Sequence, residues 1–239
     1  MVLAILQARM SSTRLRGKVL ADLAGAPMVL RQIERLRRCQ KLDDIVVAIS
    51  DDPTDDILAQ TLADAGMLTF RGPLHDVLGR FAGALKSAGV PKNFARLTAD
   101  CPLADPGVID ATIDLFHESG ADYVSNTGEH RTFAIGLDVE VCRSSALMAA
   151  DEEATAAYER EHVTPFIYRK PDRFSIATYR QDADEGMVRW TVDRPDDLAF
   201  VRQVYDALYE TRPEFTSEHI RQFVDLRPDL ANLGGDPRR

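Results

Sequence analysis

Two hydrophobic periods alternate along the chain. Residues 2–6 are uniformly apolar, and residues 45–49 form an unbroken run rich in β-branched side chains. Such runs mark strands buried on both faces. Shorter apolar runs at residues 67–70, 94–98, 121–125, 137–141, 174–179 and 187–192 also read as strands. Between them the period lengthens to that of a helix. Pro27 opens one helix, where a missing N–H costs nothing. In it Met28, Ile33 and Leu36 lie on or near one face, and Arg31, Glu34, Arg35 and Arg38 are expected in solvent. Further helices are predicted over 54–65, with Thr54 as N-cap and Asp55 and Asp56 in the first turn. Others follow over 76–88, 107–118 behind Asp105-Pro106, 144–150, 159–168, 195–210 and 216–223. The Gly/Pro/Arg-rich residues 233–239 are expected to be a flexible tail.

Strand–helix alternation in the first half implies βαβ crossovers and a largely parallel sheet. The second half holds more strands and fewer regular helices, as an excursion built onto the same sheet would. The chain's 239 residues suit one such α/β domain, here taken as residues 1–232.

Composition narrows the class. Hydrophobic residues make up 45% and charged residues 28%, as in a globular protein with a real core. The net charge of −9 argues against a general nucleic-acid partner. No apolar run approaches the roughly 20 residues that cross a bilayer. The apolar start lacks a basic leader and a small-residue cleavage site, so it reads as a strand, and a cytoplasmic location is expected. Cys39, Cys101 and Cys142 are odd in number and widely spaced, and the histidines form no metal-binding cluster. Charge is unevenly spread: the first 21 residues carry Arg9, Arg14, Arg16 and Lys18 and no acid.

That basic stretch is Gln7-Ala8-Arg9-Met10-Ser11-Ser12-Thr13-Arg14-Leu15-Arg16-Gly17-Lys18. It follows a strand, where α/β sheets expose their ligand crevice. Hydroxyls and backbone N–H groups can cradle phosphate oxygens there, while Arg and Lys neutralise them. It is neither a Walker A loop nor a GxGxxG loop. Asp100 ends another apolar strand in Thr98-Ala99-Asp100-Cys101-Pro102-Leu103, and a strand-end carboxylate suits a hard cation such as Mg²⁺. Asp193 ends the run 187–192 and by itself reads as a cap of the helix at Pro195. Asp105 reads as a helix cap and Cys101 as packing. Asp76 and Arg80, one turn apart, can pair with each other.

Taken in order, these segments resemble the CMP-sugar synthetases, the cytidylyltransferases of acylneuraminate and 3-deoxy-manno-octulosonate. The likeness is greatest to the branch named for the spore-coat polysaccharide biosynthesis protein SpsF. It continues through Val46-Val47-Ala48-Ile49-Ser50-Asp51-Asp52-Pro53, Phe70-Arg71-Gly72, Asp76-Val77-Leu78 with Arg80, and Arg96 to Pro106. It returns in Gly136-Leu137-Asp138-Val139-Glu140, in Tyr158 to Pro165 and in Arg189 to Asp197. Two departures stand in the first motif: the branch often has Gly where Ser11 stands and Pro where Arg16 stands. Arg16 is therefore expected to face outward.

The resemblance implies a three-layer α/β/α nucleotidyltransferase fold of the glycosyltransferase-A type. Residues 1–120 would form the nucleotide-binding half and residues 121–232 the acceptor and dimerisation half of a homodimer. Arg14, Lys18, Asp100 and Asp193 would be catalytic, with Mg²⁺ held by Asp100 and Asp193. Ala8, Arg9, Ser12, Thr13, Arg14, Lys18 and Asp100 would hold CTP, with Ser50 and Arg71 toward the base. Arg71 reads equally as a surface salt bridge. Arg131, Asp138, Glu140, Arg160 and His162 would bind a small acidic sugar. Asp138 and Glu140 read equally as the polar face of a half-exposed strand. The implied reaction is transfer of CMP from CTP, with release of pyrophosphate. Three other readings compete: a glycosyltransferase on the same fold, a cytidylyltransferase for a sugar phosphate or phosphonate, and a non-catalytic nucleotide-binding protein. The first of these usually carries a D-x-D motif, where this chain has Asp100-Cys101-Pro102.

Overall fold

The apolar runs assemble into one seven-stranded sheet, described here from a computed structural model covering residues 1–239. Its strands are β1 (Val2–Gln7), β2 (Asp44–Ser50), β3 (Leu68–Gly72), β4 (Asn93–Thr98), β5 (Tyr123–Ser125), β6 (Glu140–Arg143) and β7 (Ile176–Thr178). Their order across the sheet is β3-β2-β1-β4-β6-β5-β7. β3, β2, β1 and β4 are mutually parallel, β6 runs against both its neighbours, and β7 is parallel to β5. The chain winds outward from β1 to β3, then returns to place β4 on the other side of β1. The strand order thus reverses between β1 and β4, the kind of point where open α/β sheets form a crevice.

Both faces are covered by helices, which gives the expected three layers. On one face Ala4, Leu6, Val47 and Leu97 pack with α1 (Met28–Leu36), α2 (Asp56–Asp64) and α4 (Pro106–Ser119). On the other, Leu3, Ile5, Val46 and Phe94 pack with α3 (Val77–Ser87), α5 (Ser144–Glu153) and α7 (Pro165–Tyr168). The helix predicted over 159–168 is split: α6 (Ala157–His162) ends at Val163 before α7 begins. No helix is long and apolar enough to cross a membrane.

Several expectations are corrected. Arg35 is buried, because Nε donates to the Ala104 carbonyl at 2.8 Å and its guanidinium lies over the Phe215 ring. Thr54 is not a cap; it lies in a short 3-10 turn whose N-cap, Asp52, accepts the Thr54 N–H. Asp76 pairs with Arg160 and not with Arg80, and its carboxylate caps α3 by accepting from Gly79. The run 137–141 is a strand only from Glu140. The run 187–192 is not a strand of the sheet and forms one isolated bridge outside it, Arg189 with Ile135.

That last segment belongs to a third apolar cluster. Trp190, Val192, Phe133 and Leu137 pack there with α8 (Pro195–Leu208) and α9 (Ser217–Asp225). The tail expected to fray is part of it. Trp190 Nε1 donates to the Arg238 carbonyl at 2.7 Å, and the fully buried Arg238 guanidinium donates to Asp197 at 3.0 Å. Asp197 also accepts two bonds from Arg189 and the N–H groups of Asp193 and Arg194. Burial alone would raise its carboxyl pKa; the hydrogen bonds outweigh burial and hold it well below the usual carboxylate range. The stabilisation this supplies is complete above the ordinary value of 3.8 and is lost as pH falls toward the folded value. Asp197→Asn should cost roughly 3–5 kcal/mol, since it leaves buried guanidinium charge unpaired. At neutral pH that is a fall in Tm of about 6–20 °C for a chain of this size. In thermal melts the gap between variant and wild type should narrow as the pH is taken well below 3.8.

Candidate active site

The crevice at the reversal point is built from the ends of β1 and β4. After β1 the chain cannot continue straight, because the Met10 N–H donates to Asp55 Oδ1 at 2.7 Å. Asp55 is fully buried and also accepts the Ser50 N–H at 2.9 Å. The loop then folds back: the Gly17 N–H donates to the Met10 carbonyl at 3.0 Å, and Gly17 takes φ 68°, a region that favours glycine. A 3-10 turn, Lys18–Leu20, follows and sends the Lys18 side chain inward.

Lys18 Nζ donates to Asp100 Oδ2 at 3.0 Å, to Asp193 Oδ1 at 3.1 Å and to the Val192 carbonyl at 2.6 Å. Arg14 reaches Asp193 Oδ1 at 2.8 Å from a side chain that is 61% exposed, and Arg189 holds Asp193 Oδ2 at 3.0 Å. Asp193 is therefore no helix cap; its neighbour Asp197 does the capping work by accepting from Arg194 N–H. The segment carrying Asp193 is fastened to the end of β4, where the Asp100 carbonyl accepts from Val192 N–H at 2.7 Å and Thr191 Oγ1 at 3.1 Å. Gly136 makes this crossing fit: a Cβ there would stand 2.6 Å from Thr191 N, at φ 112°.

Burial would raise the Asp100 pKa, but the Lys18 charge and hydrogen bonds lower it further, so the carboxyl lies below its ordinary value. The Cys101 thiol is pushed well up by burial and is no nucleophile, as expected of a packing residue.

Eight expected residues meet in one pocket of about 160 Å³: Ala8, Arg9, Ser12, Thr13, Arg14, Lys18, Asp100 and Asp193. Gln7, Val19 and Thr98 join them without having been singled out in the sequence. The pocket holds three cationic side chains against two carboxylates, so its balance favours an anion. Arg9 is exposed and makes no ion pair, and Arg16 points outward. No group of three or more His, Cys, Asp or Glu side chains is close enough to hold a metal. A metal here would have two protein carboxylates and would need phosphate or water for the rest, which suits Mg²⁺. Both carboxylates already converge on one cation, the Lys18 ammonium.

Two nucleotide residues lie elsewhere. Ser50 is buried and faces Asp55, away from the pocket. Arg71 donates to the Ser50 and Asp52 carbonyls and pairs with Asp56, the surface bridge that was its alternative reading. The acceptor group divides. Arg131 and Asp138 bind each other, and Arg160 ties Asp76 to Asp151. Each of these two arginines is thus paired with a carboxylate of the chain itself. Glu140 and His162 instead line a larger cavity with Arg96, Thr164 and three tyrosines.

A basic pocket at the strand ends, facing the carboxylates of Asp100 and Asp193 at the reversal point of a three-layer α/β sheet, is an arrangement that suits a nucleotidyltransferase. The chain belongs to the cytidylyltransferase family, whose model matches residues 3–228. It is 31% identical to the spore coat polysaccharide biosynthesis protein SpsF of Bacillus subtilis, over 96% of each chain. Among solved structures it is similar to a cytidylyltransferase from Leptospira borgpetersenii, with TM-score 0.89 and 28% identity over 96% of this chain and 95% of that one. It also shares the fold of CMP:2-keto-3-deoxy-manno-octonic acid synthetase, solved with CTP, at TM-score 0.65 and 16% identity. That alignment covers 86% of this chain and 98% of the other. The resemblance to the CMP-sugar synthetases is thus borne out.

Removing the Lys18 charge should release Asp100. In Lys18→Met the Asp100 carboxyl should titrate higher than in wild type, because burial is then less opposed. Carboxyl-carbon NMR titration reads this directly. Arg14→Met, which touches Asp193 and not Asp100, should leave that titration in place.

Proposed function

We propose that the chain transfers CMP from CTP to a small acidic sugar of the ulosonic or nonulosonic type, releasing pyrophosphate. The observation that carries this reading is the meeting of Arg14 and Lys18 with Asp100 and Asp193 in one strand-end pocket. Support for CTP and for a sugar acceptor comes from the family and from the named activities of the related proteins.

In the reaction an acceptor hydroxyl forms a new bond to the α-phosphorus. The bond from that phosphorus to the bridging oxygen of the β-phosphate breaks in line. Pyrophosphate leaves with the electron pair, and the hydroxyl proton passes to water in the open cleft. Such chemistry needs positioning and charge stabilisation more than a side-chain nucleophile. Arg9 and Arg14, on the exposed limb of the loop, neutralise the leaving pyrophosphate, whose charge grows in the transition state. Arg14 gives up one ion pair to do so, from an exposed side chain, and Asp193 keeps Lys18 and Arg189 as partners. Lys18 donates from its ammonium to the Val192 carbonyl and so holds that charge at the junction of the two carboxylates. Ser12 and Thr13 offer hydroxyls to phosphate oxygens. Asp100 and Asp193 would hold Mg²⁺, which when bound supplies further charge neutralisation at the phosphate oxygens. A homodimer joined through second-half strands belongs to the same proposal, since β7 leaves one sheet edge open.

Calorimetric titration with CTP, UTP, ATP and GTP, in Mg²⁺ and in EDTA, tests the reading. CTP should bind best and Mg²⁺ should strengthen it. Arg14→Ala and Lys18→Ala should each weaken CTP about 10- to 100-fold, the loss of one charge-assisted hydrogen bond. Binding of a nucleotide-diphosphate sugar without binding of any triphosphate would replace this function with glycosyl transfer.

A further inference from the structure

Residues 237 and 238 run beside residues 189 and 190, behind the Lys18 pocket. The Arg189 N–H donates to the Pro237 carbonyl at 2.8 Å, and Trp190 Nε1 donates to the Arg238 carbonyl at 2.7 Å. The Arg238 N–H in turn donates to the Ala231 carbonyl at 2.8 Å, so residues 231–238 form a closed strap. Its anchor is the Arg238 side chain, which has no exposed surface. Nη1 donates to the Arg189 carbonyl at 2.9 Å, Nε to the Leu233 carbonyl at 3.2 Å and Nη2 to Asp197 Oδ1 at 3.0 Å. The guanidinium also lies 5.1 Å from the centre of the Phe200 ring. Burying a guanidinium is costly unless it is paired, so the strap docks only where a carboxylate meets it.

That carboxylate is also what holds Asp193. Asp197 Oδ2 accepts the Asp193 N–H at 2.9 Å and Arg189 Nη2 at 3.0 Å, and Oδ1 accepts Arg189 Nε at 3.0 Å. Arg189 Nη2 is shared, because it donates to Asp193 Oδ2 at 3.0 Å as well. The backbone of Asp193 is thus fixed by Asp197, and one of its carboxylate oxygens by the arginine that Asp197 orients. Charges alternate in sign along the whole path, from Arg238 through Asp197, Arg189 and Asp193 to Lys18 and Asp100. A buried ion that loses one partner draws harder on the next. Without Arg238, Asp197 would draw on Arg189, the same guanidinium that holds Asp193.

The path matters most during turnover. In the proposed reaction Arg14 turns from Asp193 toward the phosphates. Asp193 then has two anchors, Lys18 in the pocket and Arg189 behind it. Lys18 divides its ammonium among Asp193, Asp100 and the Val192 carbonyl, so it does not fix by itself which way the Asp193 carboxylate faces. Arg189 supplies the second fixed point, and the strap supplies Arg189.

We propose that Arg238 is a positioning residue for this site. By docking the strap on Asp197 it keeps Arg189 on Asp193, and so keeps the Asp193 carboxylate turned toward Lys18 and Asp100 when Arg14 leaves. It touches neither substrate nor reacting atoms. The proposal rests on the cytidylyl-transfer reading above.

NMR of the full chain reads both ends of the path. Trp190 is the only tryptophan, so its indole N–H signal reports the strap. The Lys18 ammonium, bonded to three acceptors, gives a ¹⁵N signal that reports the pocket. In Arg238→Met both signals should move. The gain in CTP affinity from Mg²⁺ over EDTA, measured by calorimetry, should fall at least about tenfold, the usual cost of losing a ligand's supporting partner. Arg238→Lys returns the charge and should bring back the Lys18 signal and most of that gain. Arg189→Lys, whose single ammonium lacks the fork that bridges both carboxylates, should move the Lys18 signal too, and it decides the matter if Arg238→Met does not fold. Val224→Ala, which opens a cavity in the same apolar cluster, should lower the Tm and leave the Lys18 signal in place. A lowered Tm with an unmoved Lys18 signal and an unchanged Mg²⁺ gain in Arg238→Met or Arg189→Lys would reduce the strap to packing and overturn the proposal. A wild type that binds no CTP would count against the nucleotide reading, while the ammonium signal still decides whether the strap sets Asp193.

Discussion

The Lys18 ammonium joins three distant parts of the chain. It enters from the loop after β1, meets Asp100 at the end of β4, and meets Asp193 and the Val192 carbonyl from the C-terminal region. Two carboxylates brought this close repel each other unless a cation lies between them. The same is true in reverse of a buried lysine, which needs its anions. Neither half of the site is therefore stable in this form without the other. The packing around it follows from that requirement: Gly136 lets the 190–193 segment approach, and Asp55 sets where the loop turns back.

The C-terminal region supports the site through charge as well as packing. Asp193 is held from behind by Arg189, Arg189 by Asp197, and Asp197 by Arg238 near the end of the chain. Each charge in this relay has a partner, as burial demands. The position of one strand-end carboxylate thus depends on residues more than forty positions away in sequence, Arg238 being 41 from Asp197.

The pocket around Lys18 was legible in the sequence because its residues are consecutive or close an apolar run. A basic Ser/Thr loop after an apolar run, and an aspartate closing each of two more, are local patterns. Most strands and helices were legible for a similar reason, since apolar period separates the two, while the three layers were expected from the family resemblance. What failed depended on partners distant in sequence. Arg35 looked solvated on its helix face, but its acceptors are the Ala104 and Phe215 carbonyls. Arg131 and Arg160 looked free, yet both are held by carboxylates. The tail looked frayed because composition does not show that Trp190 and Asp197 bind it. Val163 gave no signal at all, because a β-branched residue is not expected at positive φ.

Arg96 meets Gln7 where two cavities on the sheet adjoin. The Lys18 pocket is built at the ends of β1 and β4, while Glu140, Ser125 and Thr178, in register with Arg96, are spread over β6, β5 and β7. Those outer strands are short, at three or four residues each, and lie toward an open edge. Substitutions there can reshape the cavity those residues line without moving the Asp100 and Asp193 carboxylates. A scaffold arranged in this way can change its outer strands in small steps, each leaving the Lys18 pocket intact.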